Sequence, residues 1–370
     1  MSSVVIVGGG FAGLWAAAHL PRDIDVTLVD PRAQQHFLPL LPDLVGRKLP
    51  ADALLLPLGG ACERAGVSLV PEACTGFDLG RRAVVTGSGE IGYDVLLIAG
   101  GSVSNFYGSD ELAASALTLD SVDDALRLRD AVSGGEYRAY VVSGGGYTGV
   151  EAATNIRRLL VRRGRTGRIV IVDPADALCV SIPDPYQAYI ERNVRSMGVE
   201  VRLGVTVERA GEDGVRLSNG ETVADALLVW TAGVRTPDFV AGLDLPKTKQ
   251  GRLLVDEHLR IREGVFAAGD CAAVAQAGGH LRMGVQFAIA EGICAAENIA
   301  RTVAGRPLRP FRPRDLGYVV PMANLRGCGR ALGVPMRGVP PVLLHYLMCI
   351  YRTPGARRRV RLWAGLLRRG

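Results

Sequence analysis

Two strand-to-helix turns built on the same glycine spacing constrain this chain more than any other feature. Val4-Val5-Ile6-Val7 runs into Gly8-Gly9-Gly10-Phe11-Ala12-Gly13. Tyr140-Val141-Val142-Ser143 runs into Gly144-Gly145-Gly146-Tyr147-Thr148-Gly149, with first glycines 136 positions apart. A G-x-G-x-x-G turn after an apolar strand meets the demands of a bound pyrophosphate: a tight bend, close backbone approach and close helix–strand packing. The helix that follows offers N–H groups and partial positive charge to the phosphates. Any glycine-rich bend imitates one such turn, but a second copy after a second strand is hard to imitate. The repeat predicts an α/β fold with two Rossmann-like dinucleotide-binding domains. Two bound dinucleotides in turn predict electron transfer between them.

The flanking sequence supports this reading. A strand at Asp25–Val29 follows the first turn and ends in Asp30, 22 positions after Gly8. An acid there is placed to accept hydrogen bonds from an adenosine ribose, with a solvated turn acid before Pro31 as the bland alternative. In the second unit a helix over 148–163 and a strand over Arg168–Val172 lead to Asp173, 29 positions after Gly144. Pro174 and Ala175 follow, with no basic side chain to bind a 2′-phosphate, so the sequence favours NADH over NADPH. His36-Phe37-Leu38-Pro39-Leu40-Leu41-Pro42 is expected to be an apolar loop broken by its prolines. The polar stretch around 109–124 is expected to join the two units. The resulting layout is a first part of an FAD domain over 1–111, an inserted NADH domain over 112–238, a second FAD part over 239–313, and a basic helical region over 314–370.

Charge is unevenly spread. From Gly317 onward there are ten arginines and no acidic residue, whereas the rest carries 33 basic against 37 acidic side chains. Such a tail points to an anionic partner. Seven scattered cysteines lack disulfide or metal-ligand spacing and suggest a reducing compartment. The chain enters a core strand by Val4, leaving no room for a signal peptide, and no apolar run reaches the roughly 18–20 residues of a membrane span. The expected location is the cytoplasm, peripheral on the cytoplasmic face of the cell membrane.

Four elements in order resemble the two-dinucleotide-binding-domain flavoproteins: the first glycine turn with Asp30, the strand ending Ala99-Gly100-Gly101-Ser102, the second glycine turn, and Phe266-Ala267-Ala268-Gly269-Asp270. The finer resemblance is to the type II NADH dehydrogenases, which are NADH:quinone oxidoreductases. It rests on Gly144–Glu151, on Leu227–Val234 with its Trp, Ala and Gly, and on Phe311-Arg312-Pro313 with the tail that carries His345, Trp363 and Arg369-Gly370. The resemblance implies FAD held by Gly8, Gly10, Phe11, Ala12, Gly13, Asp30, Ala99, Gly100, Gly269, Asp270, Gln286 and Phe287. It implies NADH held by Gly144, Gly146, Tyr147, Thr148, Gly149, Asp173 and Gly233, with Glu151 and Gln286 near the reacting atoms. One departure bears on the acceptor: the family's quinone-side helix usually carries two glutamines, and here Gln286 keeps the first while Ala290 replaces the second.

With a flavin doing the redox chemistry, the protein supplies position and electrostatics. The helix beginning near Gly284 is expected to aim its N-terminus at the anionic edge of reduced flavin. Glu151, expected in the first turn of its helix, is either a dipole-stabilising acid or a proton-handling group. Val342–Tyr351 and Arg357–Arg369 are suited to amphipathic interfacial helices meeting anionic headgroups, with Val360, Trp363 and Leu367 on one face. The bland alternative packs these helices on the protein's own core or on a second subunit, as a homodimer. No binding module accompanies the arginines, so nucleic acid is not an expected partner. Rival functions are a soluble NADH-dependent flavin oxidoreductase or tailoring enzyme, a sulfide:quinone oxidoreductase using Cys179 and Cys328, and a non-enzymatic flavin redox sensor.

Overall fold

The computed structural model describes residues 2–368, so Arg369-Gly370 of the tail lies outside the described residues. The chain divides into two compact units. One comprises the chain up to Gln35, Leu56–Val103 and Val234–Asp315; the other comprises His36–Leu55, Ser104–Gly233 and Leu316 to the C-terminus.

The first unit is organised by a six-stranded sheet in the order Arg260–Arg262, Val265–Ala267, Val95–Ile98, Ser3–Val7, Asp25–Val29, Ser68–Val70. Its central strands are parallel, with Val5 opposite both Thr27 and Leu96. Because they are covered on both faces, these strands are continuous apolar runs rather than alternating ones. Ile6, Leu28, Leu97 and Phe266 are fully buried there, each worth about 1.5–3 kcal/mol of transfer free energy. Helix Phe11–His19 packs on helix Val285–Val303. Only glycine fits at 292, since a Cβ there would lie 2.3 Å from the carbonyl oxygen of Ala12.

The second unit repeats the plan on a four-stranded parallel sheet ordered Val199–Leu203, Arg168–Asp173, Ala139–Ser143, Ala226–Trp230. Helix Tyr147–Arg162 follows its glycine turn. A three-stranded meander, Gly317–Pro321, Gly327–Ala331 and Val334–Gly338, precedes two C-terminal helices, Val339–Arg352 and Ala356–Leu367.

Two expectations are corrected, the loop at 36–42 and the first-turn placement of Glu151. The segment after His36 is not a loop: a 3-10 turn at Leu38–Leu40 leads into helix Leu41–Gly46. Pro42 sits in that helix's first turn, where its missing N–H costs nothing. The stretch 109–124 holds helix Asp110–Ser115 and the start of helix Val122–Gly134. Their caps are Ser109 and Ser121, whose hydroxyls accept from the N–H groups of Leu112 and Asp124. Such caps stabilise a helix by about 1 kcal/mol. Glu151 is the fifth residue of helix Tyr147–Arg162, whose first turn contains no acid. The dipole explanation therefore loses its basis, because that effect fades beyond the first turn.

Candidate dinucleotide and redox sites

The two glycine turns are nearly superimposable in their local chemistry. Gly8 and Gly144 have φ of 110° and 108°, values open to glycine and strained for other residues. A Cβ at Gly13 would lie 1.8 Å from the carbonyl oxygen of Gly8, and one at Gly149 would lie 1.8 Å from that of Gly144. The third glycine of each turn thus lets the helix pack against the strand end. At Gly10 and Gly146, by contrast, a Cβ would meet nothing within 4 Å. These two glycines are the N-caps of their helices, and no side chain caps either. Each turn therefore presents an open backbone face at a helix N-terminus with no side-chain cap, which fits a pyrophosphate.

Around the first turn, Phe11 is partly buried and Ala12 buried. Ala99 is buried, and a Cβ at Gly100 would strike Phe239 at 2.7 Å. Around the second, Thr148 is exposed, and Tyr147 lies 6.3 Å from the ring of Tyr318. Gly233 has φ of 115°, and a Cβ there would be 2.6 Å from the hydroxyl of Tyr107. That hydroxyl donates to the carbonyl of Ala232.

The two acids that close the second strand of each unit, Asp30 and Asp173, differ. One oxygen of Asp30 accepts from the Gly9 N–H at 2.7 Å, and both oxygens accept from the Arg32 guanidinium at 2.8 and 3.0 Å. Burial pushes the Asp30 carboxyl up, but the Arg32 hydrogen bonds and charge outweigh it and hold the group below its usual value. Asp173 accepts only backbone N–H groups, those of Gly145 at 2.6 Å and Ala175 at 2.8 Å. Its remaining lone pairs face no cation among the described residues. Arg32, two positions beyond Asp30, went unread in the sequence.

In the first unit Gly269, with φ of 80°, brings Asp270 to a partly accessible recess. Ser102 donates to Asp270 at 2.8 Å. Burial raises Asp270, opposed by that hydrogen bond and by Arg252. Arg252 is buried and donates to the carbonyls of Asp270, Ala272 and Leu281. A second buried acid stands beneath: Glu291 accepts the Gly269 N–H at 2.6 Å, and burial raises it to about 8. Neither Arg252 nor Glu291 was anticipated. Glu291 is adjacent to Ala290, but a single acid on a helix gives no sign in sequence that it is buried. Helix Val285–Val303 starts after Gly284 with no side-chain cap, consistent with an N-terminus free to face an anionic group. Gln286 donates to Asp315 at 3.2 Å, and Arg282 lies over the buried Phe287 ring at 4.9 Å.

In the second unit Glu151 is partly buried and keeps part of its surface accessible. Burial, with a smaller push from the Asp43 carboxylate, raises its carboxyl well above the ordinary range. Asp43 is held by Tyr346 at 2.8 Å and Arg47 at 3.0 Å, with Arg158 at 3.7 Å. His345, lowered by burial, lies 3.7 Å from the thiol of Cys349. Helix Leu41–Gly46 and helix Val339–Arg352 thus build a buried polar cluster near Glu151. Cys179 and Cys328 come close enough to interact electrostatically, yet burial raises both thiols, Cys328 to about 12. Neither is a thiolate near neutral pH, which weakens the sulfide reading.

The family described as pyridine nucleotide-disulphide oxidoreductase matches residues 2–292. The chain belongs to that family. An NADH dehydrogenase-like protein of Mycobacterium tuberculosis is 33% identical over 334 residues, covering 84% of this chain and 83% of the relative. The type II NADH:quinone oxidoreductase of Haemophilus influenzae is 26% identical, covering 89% and 87%. Among solved structures, NDH2 from Plasmodium falciparum in complex with NADH superposes with a TM-score of 0.87 at 15% identity, covering 99% of this chain and 97% of that one. Within its family the chain falls with the type II NADH dehydrogenases.

Proposed function

We propose that this protein is an FAD-dependent NADH:quinone oxidoreductase working at a membrane surface. The observation that carries the reading is the pair of open, uncapped glycine turns, each with its own acid at the ribose position. The relatives named for NADH dehydrogenation and quinone reduction support it. The first turn, Asp30 and Asp270 hold FAD. Asp173, which makes no ion pair among the described residues, and the second turn hold NADH. When bound, the flavin accepts hydride from NADH and passes electrons on to the quinone. Asp270, secured by Ser102 and Arg252, orients the cofactor's polar chain. Glu151, whose carboxyl burial raises well above its ordinary range, is assigned to hold a proton for the reduced acceptor. Gln286 orients flavin or quinone once it leaves Asp315.

Membrane contact is assigned to the C-terminal helices. Leu343, Leu347 and Tyr351 form one exposed stripe, and Val360, Trp363 and Leu367 form another, each residue more than half exposed. Among the described residues no helix is long and apolar enough to cross a membrane. Arginines beside such stripes suit a helix lying at an anionic interface, on the cytoplasmic face.

The test is anaerobic stopped-flow. NADH bleaches the flavin, and a menaquinone analogue restores its colour within the turnover time. Bleaching without reoxidation by any quinone would leave the dehydrogenase and remove the quinone.

A further inference from the structure

A cavity of about 940 Å³ lies within the second unit, between helix Tyr147–Arg162 and the two C-terminal helices. That size falls within the roughly 300–1,000 Å³ typical of small-ligand sites. Its lining is sharply divided by chemistry. Leu343, Leu347 and Trp363 form part of an apolar wall, and each is itself more than half exposed, so they also edge the opening. Against them stand six cations and no carboxylate: Arg47, Lys48, Arg157, Arg158, Arg162 and Arg368.

Arg47 and Arg158 are already engaged with Asp43. The other four have no carboxylate partner among the described residues. Arg157 gives one nitrogen to the carbonyl of Gly198 at 2.7 Å, and its Nε is buried without any partner. Arg162 donates only to the carbonyl of Gly46 at 3.1 Å. Burial lowers both guanidinium groups, and Arg163 and Arg129 press Arg162 further in that direction. Partly buried cations with no counter-charge are costly to hold, and an anion brought to them relieves that cost. Three turns of helix separate Glu151 from Arg162, and Glu151 does not line this cavity, so the site is distinct from the proposed proton-holding position.

We propose that this cavity binds one anionic phospholipid, with an acyl chain along Leu343, Leu347 and Trp363 and the phosphate against Arg157 and Arg162. An uncharged amphiphile would leave those arginines unmatched, and a free phosphate would leave the apolar wall wet. The proposal rests on the membrane reading, with which it shares Leu343, Leu347 and Trp363, and is separable from it by experiment.

Flavin-loaded full-length protein is titrated with monomeric dihexanoyl-phosphatidylglycerol, with the phosphatidylcholine counterpart and with inorganic phosphate, following tryptophan emission. Trp363→Phe identifies the part of the signal that arises at the cavity. The expected result is a saturable blue shift with phosphatidylglycerol alone. Arg157→Gln combined with Arg162→Gln should weaken binding on the order of tenfold or more, the scale expected for two basic residues at an anionic headgroup. Leu343→Ser, at an exposed position that does not support the fold, should weaken it too. Equal affinity for phosphatidylcholine, an equal response to phosphate or to an uncharged alkyl quinone, or indifference to both sets of changes would overturn the proposal. Sedimentation with phosphatidylglycerol vesicles reads the membrane assignment separately. Vesicle binding without short-chain binding removes the cavity site alone, and short-chain binding without vesicle binding removes the membrane assignment alone.

Discussion

Replacing Glu291 by Gln should change how stability depends on pH in a way set by its buried position. The Glu291 carboxyl is raised by burial to about 8, against an ordinary 4.5 in an unfolded chain. Between those values the native state binds a proton that the unfolded state has released, so rising pH favours unfolding. The stabilising contribution of the protonated group is fully present below 4.5 and is lost as pH rises to about 8. At about 1.36 kcal/mol per unit, the shift bounds the loss at roughly 5 kcal/mol. Water penetration and relaxation on ionisation make on the order of 2–5 kcal/mol the working expectation. Gln keeps an oxygen for the Gly269 N–H and cannot ionise. Denaturant unfolding of flavin-loaded wild type and Glu291→Gln should therefore diverge across this window, with the variant relatively more stable at pH 9 than at pH 5. Titrating groups not coupled to Glu291 cancel in the difference, and Asp270, Cys271 and Cys294 are the coupled ones. Parallel pH profiles would refute the view that Glu291 is buried and protonated beneath Gly269.

Other expectations concern the two turns, the recess and the tail. Gly13→Ala, whose Cβ would lie 1.8 Å from a backbone oxygen, should abolish flavin retention in absorbance spectra. Gly149→Ala should leave the protein yellow and raise the KM for NADH by an order of magnitude or more. Glu151→Gln should preserve bleaching by NADH and slow reoxidation by quinone about 100-fold, the scale of a lost proton donor. Equal reoxidation rates would remove Glu151 from proton handling. Tyr346→Phe should destabilise the protein by about 1–3 kcal/mol, because the buried Asp43 oxygen loses a donor at 2.8 Å. Thermal unfolding measures that loss.

The amino-acid sequence was most informative where chemistry is local. A G-x-G-x-x-G turn is a set of adjacent backbone demands, so both turns, their strands and the acids Asp30 and Asp173 could be read from neighbouring residues. The amphipathic C-terminal helices were legible for the same reason: Val360, Trp363 and Leu367 recur at helical spacing and are exposed. Proline was a poorer guide, since its effect depends on its position in a helix. Pro42 opens helix Leu41–Gly46 where a break was expected.

What the linear chain determined by itself is a two-dinucleotide α/β protein with an NADH-side acid free of basic neighbours. What only the tertiary structure decided is the electrostatics of burial. Glu291 beneath Gly269, Arg252 tying down the Asp270 segment, and Asp43 shared by Tyr346 and two arginines all join residues 18 to 303 positions apart. Desolvation and charge pairing act through space, and no spacing rule along the chain encodes which side chains will share a low-dielectric interior.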